Sequence, residues 1–260
     1  MSHKNKVVLV TGGSSGIGAA IAVKFTEEGA KVAIVGRNET KLDSVAKTCE
    51  RNGHKPLIIR ADVSNDDDVK RIVSTTIQHF EKLDVLVNNA GFSKVTNILD
   101  KDIMAKYDEI MGTNLRGVVY LTHLAAPYLI ESQGNIINIS SITSTITSFV
   151  GTFVYSTSKA GLDHFTRCIA LELAPKGVRV NAINPGFVRT DILENMGISS
   201  AESDKIFEMQ KYSTPLGKII EPEEIADLAA YLASDSAKSI TGATHIIDNG
   251  TLLSRVLVAK

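Results

Sequence analysis
The apolar positions of this chain fall in short unbroken runs, and the stretches between them repeat their apolar residues at three and four. Runs at residues 6–10, 31–35, 56–60, 85–88, 136–139, 178–184 and 244–248 predict about seven strands. A strand that is apolar at every position offers no face to water, so the runs predict a parallel sheet covered by helices on both sides. The first helical stretch, from about residue 17 to 28, stops at Gly29, as glycine commonly stops a helix. Asn52-Gly53 reads as a turn. Near residue 65 a helix opens with Ser64 or Asn65 as cap, and Asp66, Asp67 and Asp68 sit at its positive end, which explains that acidic run without a metal. From about Tyr155 to Leu173 the pattern is again helical, with Ala160, Leu162, Phe165, Ile169, Ala170 and Leu173 as the recurring apolar set.

Composition narrows the classes. With 260 residues and 43% apolar content, the chain can bury a large core as one domain spanning residues 1–260. A net charge of -1 without a lysine or arginine cluster argues against nucleic acid or an anionic membrane as partner. The two cysteines, Cys49 and Cys168, stand in no metal-ligand spacing and suggest reduced thiols in a cytoplasmic setting; Cys168 is expected to fill core. No signal-peptide pattern precedes the first strand, and no apolar run approaches the roughly 18 residues of a membrane span.

The candidate chemistry lies between residues 141 and 159. Tyr155 and Lys159 are four apart, so a helix stacks them on one face. A phenol titrates near pH 10; to exchange its proton near pH 7 it must be favoured as phenolate by about 4 kcal/mol. A lysine charge at about 4 Å supplies roughly 4 kcal/mol at an effective dielectric of 20, but only about 1 in open water. The pair therefore needs a partly dry cleft. A second feature, Gly12-Gly13-Ser14-Ser15-Gly16-Ile17-Gly18, joins the first strand to the first helix, where small residues let backbone approach a pyrophosphate held by the helix's amide end. Its G-x-x-x-G-x-G spacing departs from the G-x-G-x-x-G dinucleotide fingerprint.

Taken together, T-G-G-S-S-G-I-G, N-N-A-G (88–91), Y-S-T-S-K (155–159) and N-P-G-F-V-R-T (184–190) resemble the short-chain dehydrogenase/reductase family in its roughly 250-residue branch. The chain is similar to the 3-oxoacyl-carrier-protein-reductase-like members. The resemblance implies a Rossmann-type, doubly wound sheet of seven parallel strands, a nicotinamide cofactor, and a homo-oligomer, usually a tetramer. It implies Tyr155 as general acid or base, Lys159 as the group that lowers its pKa and holds the nicotinamide ribose, Ser141 as the hydrogen-bond partner of the substrate oxygen, and Asn114 as the holder of a relay water. Ser141 lies 14 residues before Tyr155, where 13 is common; Ser140, at 15, is the further candidate.

The resemblance also assigns a cradle: Gly12, Ser14, Ser15, Gly16, Ile17 and Gly18 for the pyrophosphate, Asp62 and Val63 beside the adenine, Asn89, Ala90 and Gly91 along the ribose, and Pro185, Gly186, Val188 and Thr190 at the nicotinamide. About 20 residues beyond the glycines, NAD-binding folds place an acid; here Gly36 stands instead, followed by Arg37 and Asn38. A guanidinium can fork onto a phosphate, so NADP(H) is favoured, with NAD(H) possible because Ser15 and Glu39 are not basic. Residues 191–213 are expected to form a polar, irregular substrate lid, and Phe92, Thr147, Phe149, Phe153 and Met196 to wall the pocket. The expected activity is interconversion of a ketone and a secondary alcohol, reduction the favoured direction, on a 3-oxoacyl thioester, steroid-like ketone or xenobiotic carbonyl. The alternative is a catalytically silent NADP-binding regulatory protein.

Overall fold
The computed structural model describes residues 3–147, 150–195 and 197–254. Strands β1 (Val7–Thr11), β2 (Lys31–Gly36), β3 (Leu57–Arg60), β4 (Val85–Asn88), β5 (Asn135–Ile139), β6 (Arg179–Pro185) and β7 (Thr244–Ile247) form one sheet in the order β3-β2-β1-β4-β5-β6-β7. Every pairing is parallel. The chain starts in mid-sheet, winds outward to β3, crosses back to β4 and winds the other way. The two windings diverge between β1 and β4, which opens a crevice at the carboxyl ends of those strands.

The strands form where the unbroken apolar runs stand, and β1, β4 and β5 are buried at every residue. One face packs on α1 (Gly16–Glu27), α2 (Glu39–Asn52) and α9 (Pro222–Ala233), through Ile21, Phe25, Leu42, Ile225 and Ala229. The other packs on α3 (Asp66–Phe80), α5 (Gly117–Glu131) and α6 (Phe153–Leu173), through Ile72, Leu121, Leu129, Ala170 and Leu173. Full burial of a side chain such as Phe25 or Leu129 contributes about 2–3 kcal/mol. Asn65 caps α3, its Oδ1 accepting from the Asp67 and Asp68 amides at 3.0 Å each.

Three expectations are corrected. Cys168 is exposed, because it lies two residues, more than half a turn, from Thr166 on the buried face of α6. That buried face is wider than the apolar set read from the sequence: Leu162, Ala170 and Leu173 are buried as the period predicts, but Ser158, Lys159, Asp163 and Thr166 point inward with them, while Ala160 is exposed. The segment after β6 is helical, not irregular, with α7 (Ile192–Asn195) and α8 (Ser200–Lys211). A capping box starts α8: Ser199 Oγ accepts from the Glu202 amide at 3.4 Å and Glu202 Oε2 accepts from the Ser199 amide at 3.2 Å. Phe207 anchors that helix, buried beneath the Arg189 guanidinium at 5.2 Å. The remaining helices are α4 (Ile103–Met111) and α10 (Thr251–Ser254). Among the described residues no helix is long and apolar enough to cross a membrane.

Candidate active site
The crevice is a cleft of about 610 Å³. Its floor begins at Thr11, the last residue of β1, whose Oγ1 donates to Val87 O (3.3 Å) and accepts from the Asn89 and Ala90 amides (3.0 Å each). One hydroxyl thus ties the two windings together where they part. Gly12, Ser14, Ser15, Gly16 and Ile17 line the cleft, and Gly18 lies behind them. A Cβ on Gly18 would overlap Gly12 O and Asn89 Nδ2, so only glycine lets α1 start this close to the loop. Ser15, at the N-cap of α1, makes no side-chain capping bond and no acid occupies the first turn. Its amides are left for an anionic ligand.

From β2 and β3 come Gly36, Arg37, Asn38, Asp62 and Val63, all lining the cleft. A Cβ on Gly36 would stand 3.2 Å from Ser14 Cβ and Oγ and 3.3 Å from Leu42 Cδ2, so an acid there would be crowded. The Arg37 side chain is 73% exposed and makes a long contact to Asp62, 3.4 Å from Nη1 to Oδ2. Burial opposes the Asp62 charge, but hydrogen bonds from the Ser64 amide and hydroxyl and from Arg37 outweigh it and hold the carboxyl below its usual range. Asn38 Oδ1 accepts from the Lys41 amide at 3.0 Å and caps α2. Lys41 also lines the cleft and pairs with Asp191 at 2.6 Å, a residue sequence reasoning missed because it reads as a solvated lysine on a polar helix.

The other winding delivers the candidate catalytic groups. Ser140 and Ser141 follow β5, Tyr155 and Lys159 come from the first two turns of α6, and Pro185, Gly186, Val188 and Thr190 follow from the end of β6; all line the same cleft. Ser141 Oγ accepts from the Thr143 amide (3.2 Å) and Thr143 Oγ1 (3.0 Å). With its acceptor sites taken, its own proton is left to donate into the cleft. Lys159 Nζ donates to Ile139 O at 2.8 Å and lies 5.7 Å from the Tyr155 ring centre. Asn114 sits behind, fully buried in a π-helical turn, Gly112–Arg116, of the kind frequent at functional sites. Its Oδ1 accepts from the Phe92 amide (3.0 Å) and its Nδ2 donates to Phe92 O (3.0 Å) and Ser158 Oγ (3.1 Å). Asn89, Ala90 and Gly91 complete the wall. A Cβ on Gly91 would stand 3.3 Å from both Asn114 Oδ1 and Lys159 Nζ, which converge there.

The electrostatics run opposite to the sequence expectation for Tyr155. Burial raises its hydroxyl above the ordinary phenol value, with a hydrogen bond to Ser141 pulling partly back. The lysine invoked to lower it is itself pushed by burial to about 8, the charge of Asp163 acting in the other direction. Burial therefore opposes charge on both members of the pair. Of the expected pocket wall, Phe92 lines the cleft; Thr147 and Phe153 lie outside it; Phe149 and Met196 fall outside the described residues. Lys94, Glu109, Thr113 and Ile192 also line it, none with a sequence signal beyond being scattered surface residues.

Comparison with known proteins agrees with this geometry. The family described as Enoyl-(Acyl carrier protein) reductase matches residues 12–251. A 3-oxoacyl-(acyl-carrier-protein) reductase of Thermotoga maritima is 35% identical over 257 residues, covering 97% of this chain and 100% of that one. The enzyme of that description from Staphylococcus aureus is 36% identical over 247 residues, covering 94% and 97%. Among solved structures, a Caenorhabditis elegans short-chain dehydrogenase/reductase of unknown function, determined with cofactor, superposes with a TM-score of 0.91 at 33% identity, covering 96% of each chain. The apo-form glucose dehydrogenase of Caenorhabditis elegans gives 0.83 at 36% identity, covering 97% of this chain and 100% of that one.

Proposed function
Because the chain belongs to the short-chain dehydrogenase/reductase family of oxidoreductases, we propose that it reduces a carbonyl to a secondary alcohol with NADPH, its proton supplied by Tyr155. The observation that carries this reading is convergence: Ser141, Tyr155 and Lys159 share one cleft with an uncapped helix terminus and a glycine loop. The residues fit a dinucleotide. The α1 terminus and glycine loop suit the pyrophosphate, Asp62 and Val63 flank the adenine end, Arg37 with Lys41 suits a ribose phosphate, and Lys159 with the Pro185–Thr190 segment suits the nicotinamide end. When bound, the nicotinamide supplies the hydride.

The chain's own residues handle the proton. Ser141, its acceptor sites filled by Thr143, donates to the carbonyl oxygen as that oxygen gains charge. Tyr155, protonated at neutral pH like any phenol, then gives its proton to the same oxygen. Lys159 offers its ammonium beside the ring, and Asn114, bonded to Phe92 and Ser158, fixes the wall behind it. The similar 3-oxoacyl-(acyl-carrier-protein) reductases support a 3-oxoacyl thioester as substrate. Exposed Met104, Val119, Phe153 and Leu171 on α4, α5 and α6 support assembly into a homo-oligomer, a tetramer by family resemblance.

The test is NADPH and NADH oxidation by the purified protein over a panel of 3-oxoacyl thioesters, steroids, quinones and diketones, beside Tyr155→Phe. Turnover with NADPH that Tyr155→Phe lowers by three orders of magnitude or so is the expected result. Intact turnover in Tyr155→Phe refutes the proton assignment. Tight NADPH binding with no turnover across the panel shifts the reading to a regulatory protein.

A further inference from the structure
Asp163 is a buried carboxylate that the proposed chemistry does not use. It sits one turn beyond Lys159 on α6, and both residues are 4% exposed. Its Oδ2 accepts from Asn184 Nδ2 at 2.8 Å, while its Oδ1 is buried without a hydrogen-bond partner. The same Asn184 nitrogen lies 3.1 Å from Ser141 O and 3.0 Å from Ser144 Oγ, so its two hydrogens are shared among three acceptors. One side chain of β6 therefore joins Asp163 to both ends of the turn that carries Ser141. A half-satisfied buried carboxylate costs stability, so the position calls for a reason.

The reason lies one turn back. The groups around Lys159 are Tyr155 on its own helix, the Ile139 carbonyl of β5, Asn114 from the π-helical turn and the backbone at Gly91; Asp163, one turn along the same buried face and not in direct ion-pair contact, supplies the opposite charge. Without that charge, burial alone would act on the ammonium. Resting on the reductase reading above, we propose that Asp163 is a positioning residue: it holds Lys159 in its charged form and, through Asn184, fixes the Ser141–Ser144 turn beside Tyr155.

The test is an NMR titration of lysine labelled with carbon-13 at Cε, the Lys159 signal assigned by its loss in Lys159→Arg, comparing the native chain with Asp163→Asn and Asp163→Glu. Asparagine keeps an oxygen for Asn184 and removes the charge; glutamate keeps the charge. The Lys159 midpoint, about 8 in the native chain, is expected to fall by roughly one pH unit or more in Asp163→Asn and to return most of the way in Asp163→Glu. The high-pH decline of NADPH-dependent turnover is expected to move down with it. An unmoved midpoint in folded Asp163→Asn overturns the assignment, whatever happens to activity. If Asp163→Asn does not fold, Asp163→Ser, smaller and still an acceptor for Asn184, is titrated in its place with the same two readings. A native chain that reduces no carbonyl refutes the reductase reading, and the midpoint shift then still decides the charge coupling.

Discussion

Gly18→Ala separates the geometry of this site from general rules of helix stability. In an ordinary helix interior the exchange is favourable by about 1 kcal/mol, since glycine has more backbone freedom to lose. Here the added methyl would overlap the Gly12 carbonyl and Asn89 Nδ2. Neither can yield alone: Asn89 Nδ2 already donates to Thr11 O at 2.9 Å and Gly12 O at 3.2 Å, tying the loop to the β4 side of the sheet. Overpacking a fixed contact costs about 1–3 kcal/mol and at times more. Two fixed atoms are overlapped at once, which puts the cost at the upper end, about 3 kcal/mol; less the helix preference of about 1, a net loss of about 2 kcal/mol is expected, which for a chain this size lowers Tm by about 4–8 °C. Because the glycine loop must retreat to admit the methyl, NADPH affinity is expected to drop at least tenfold. Calorimetric melting and isothermal titration with NADPH measure the two effects. Gly112→Ala is the control: its Cβ would meet nothing nearer than Ser64 Cβ at 4.0 Å, and neither quantity is expected to fall. A Gly18→Ala protein that melts at or above the native temperature and binds NADPH equally would refute the reasoning.

Three further outcomes follow. Arg37→Asp is expected to weaken NADPH relative to NADH by tenfold or more, the loss of charge-assisted contacts worth about 1.5–3 kcal/mol, measured as the ratio of kcat/KM values; an unchanged ratio would remove Arg37 from the phosphate site. Lys159 is lowered by burial to about 8, against 10.5 when unfolded, so its charge opposes folding by about 3 kcal/mol below pH 8, an opposition relieved as pH rises from 8 to 10.5. Lys159→Met is therefore expected to raise Tm at pH 7, less so at pH 10, while abolishing turnover; a gain that grows with pH contradicts this sign. Asn114→Ala strands the Phe92 amide and carbonyl, and about 3 kcal/mol of stability is expected to go with it in urea denaturation, along with turnover.

The strands were legible because a sheet covered on both faces demands unbroken apolar runs, and β1, β2, β4 and β5 answer that demand almost residue for residue. Motif residues were legible for a related reason: each stands just past a strand end, where topology gathers them. What the sequence hid were contacts between segments that have no local pattern. Lys41 reaches Asp191 across 150 positions of chain, and Asp163 meets Asn184 across 21. The α6 period misled because the helix turns polar residues inward, Ser158, Lys159, Asp163 and Thr166, where hydrophobicity alone would put apolar ones. Asn88, Asn138 and Thr166 continue that polar thread beneath the cleft, Asn88 Nδ2 donating to Asn138 Oδ1 at 2.8 Å and Asn138 Nδ2 to Thr166 Oγ1 at 2.9 Å, pairings that only the folded sheet reveals.

The hydroxyl of Thr11 has a consequence for how such a chain comes into being. Its partners lie 76, 78 and 79 positions downstream. During synthesis β1 emerges with β2 to pair with, but its other edge stays open until β4 has left the ribosome, a stretch in which an apolar strand edge is exposed to anything else that pairs with strands. The glycine loop exists early yet has no far wall; Ser141, Tyr155 and Thr190 arrive later still. The growing chain thus holds one half of the cleft well before the other, and the nucleotide meets a complete site only once residue 190 has folded onto β6.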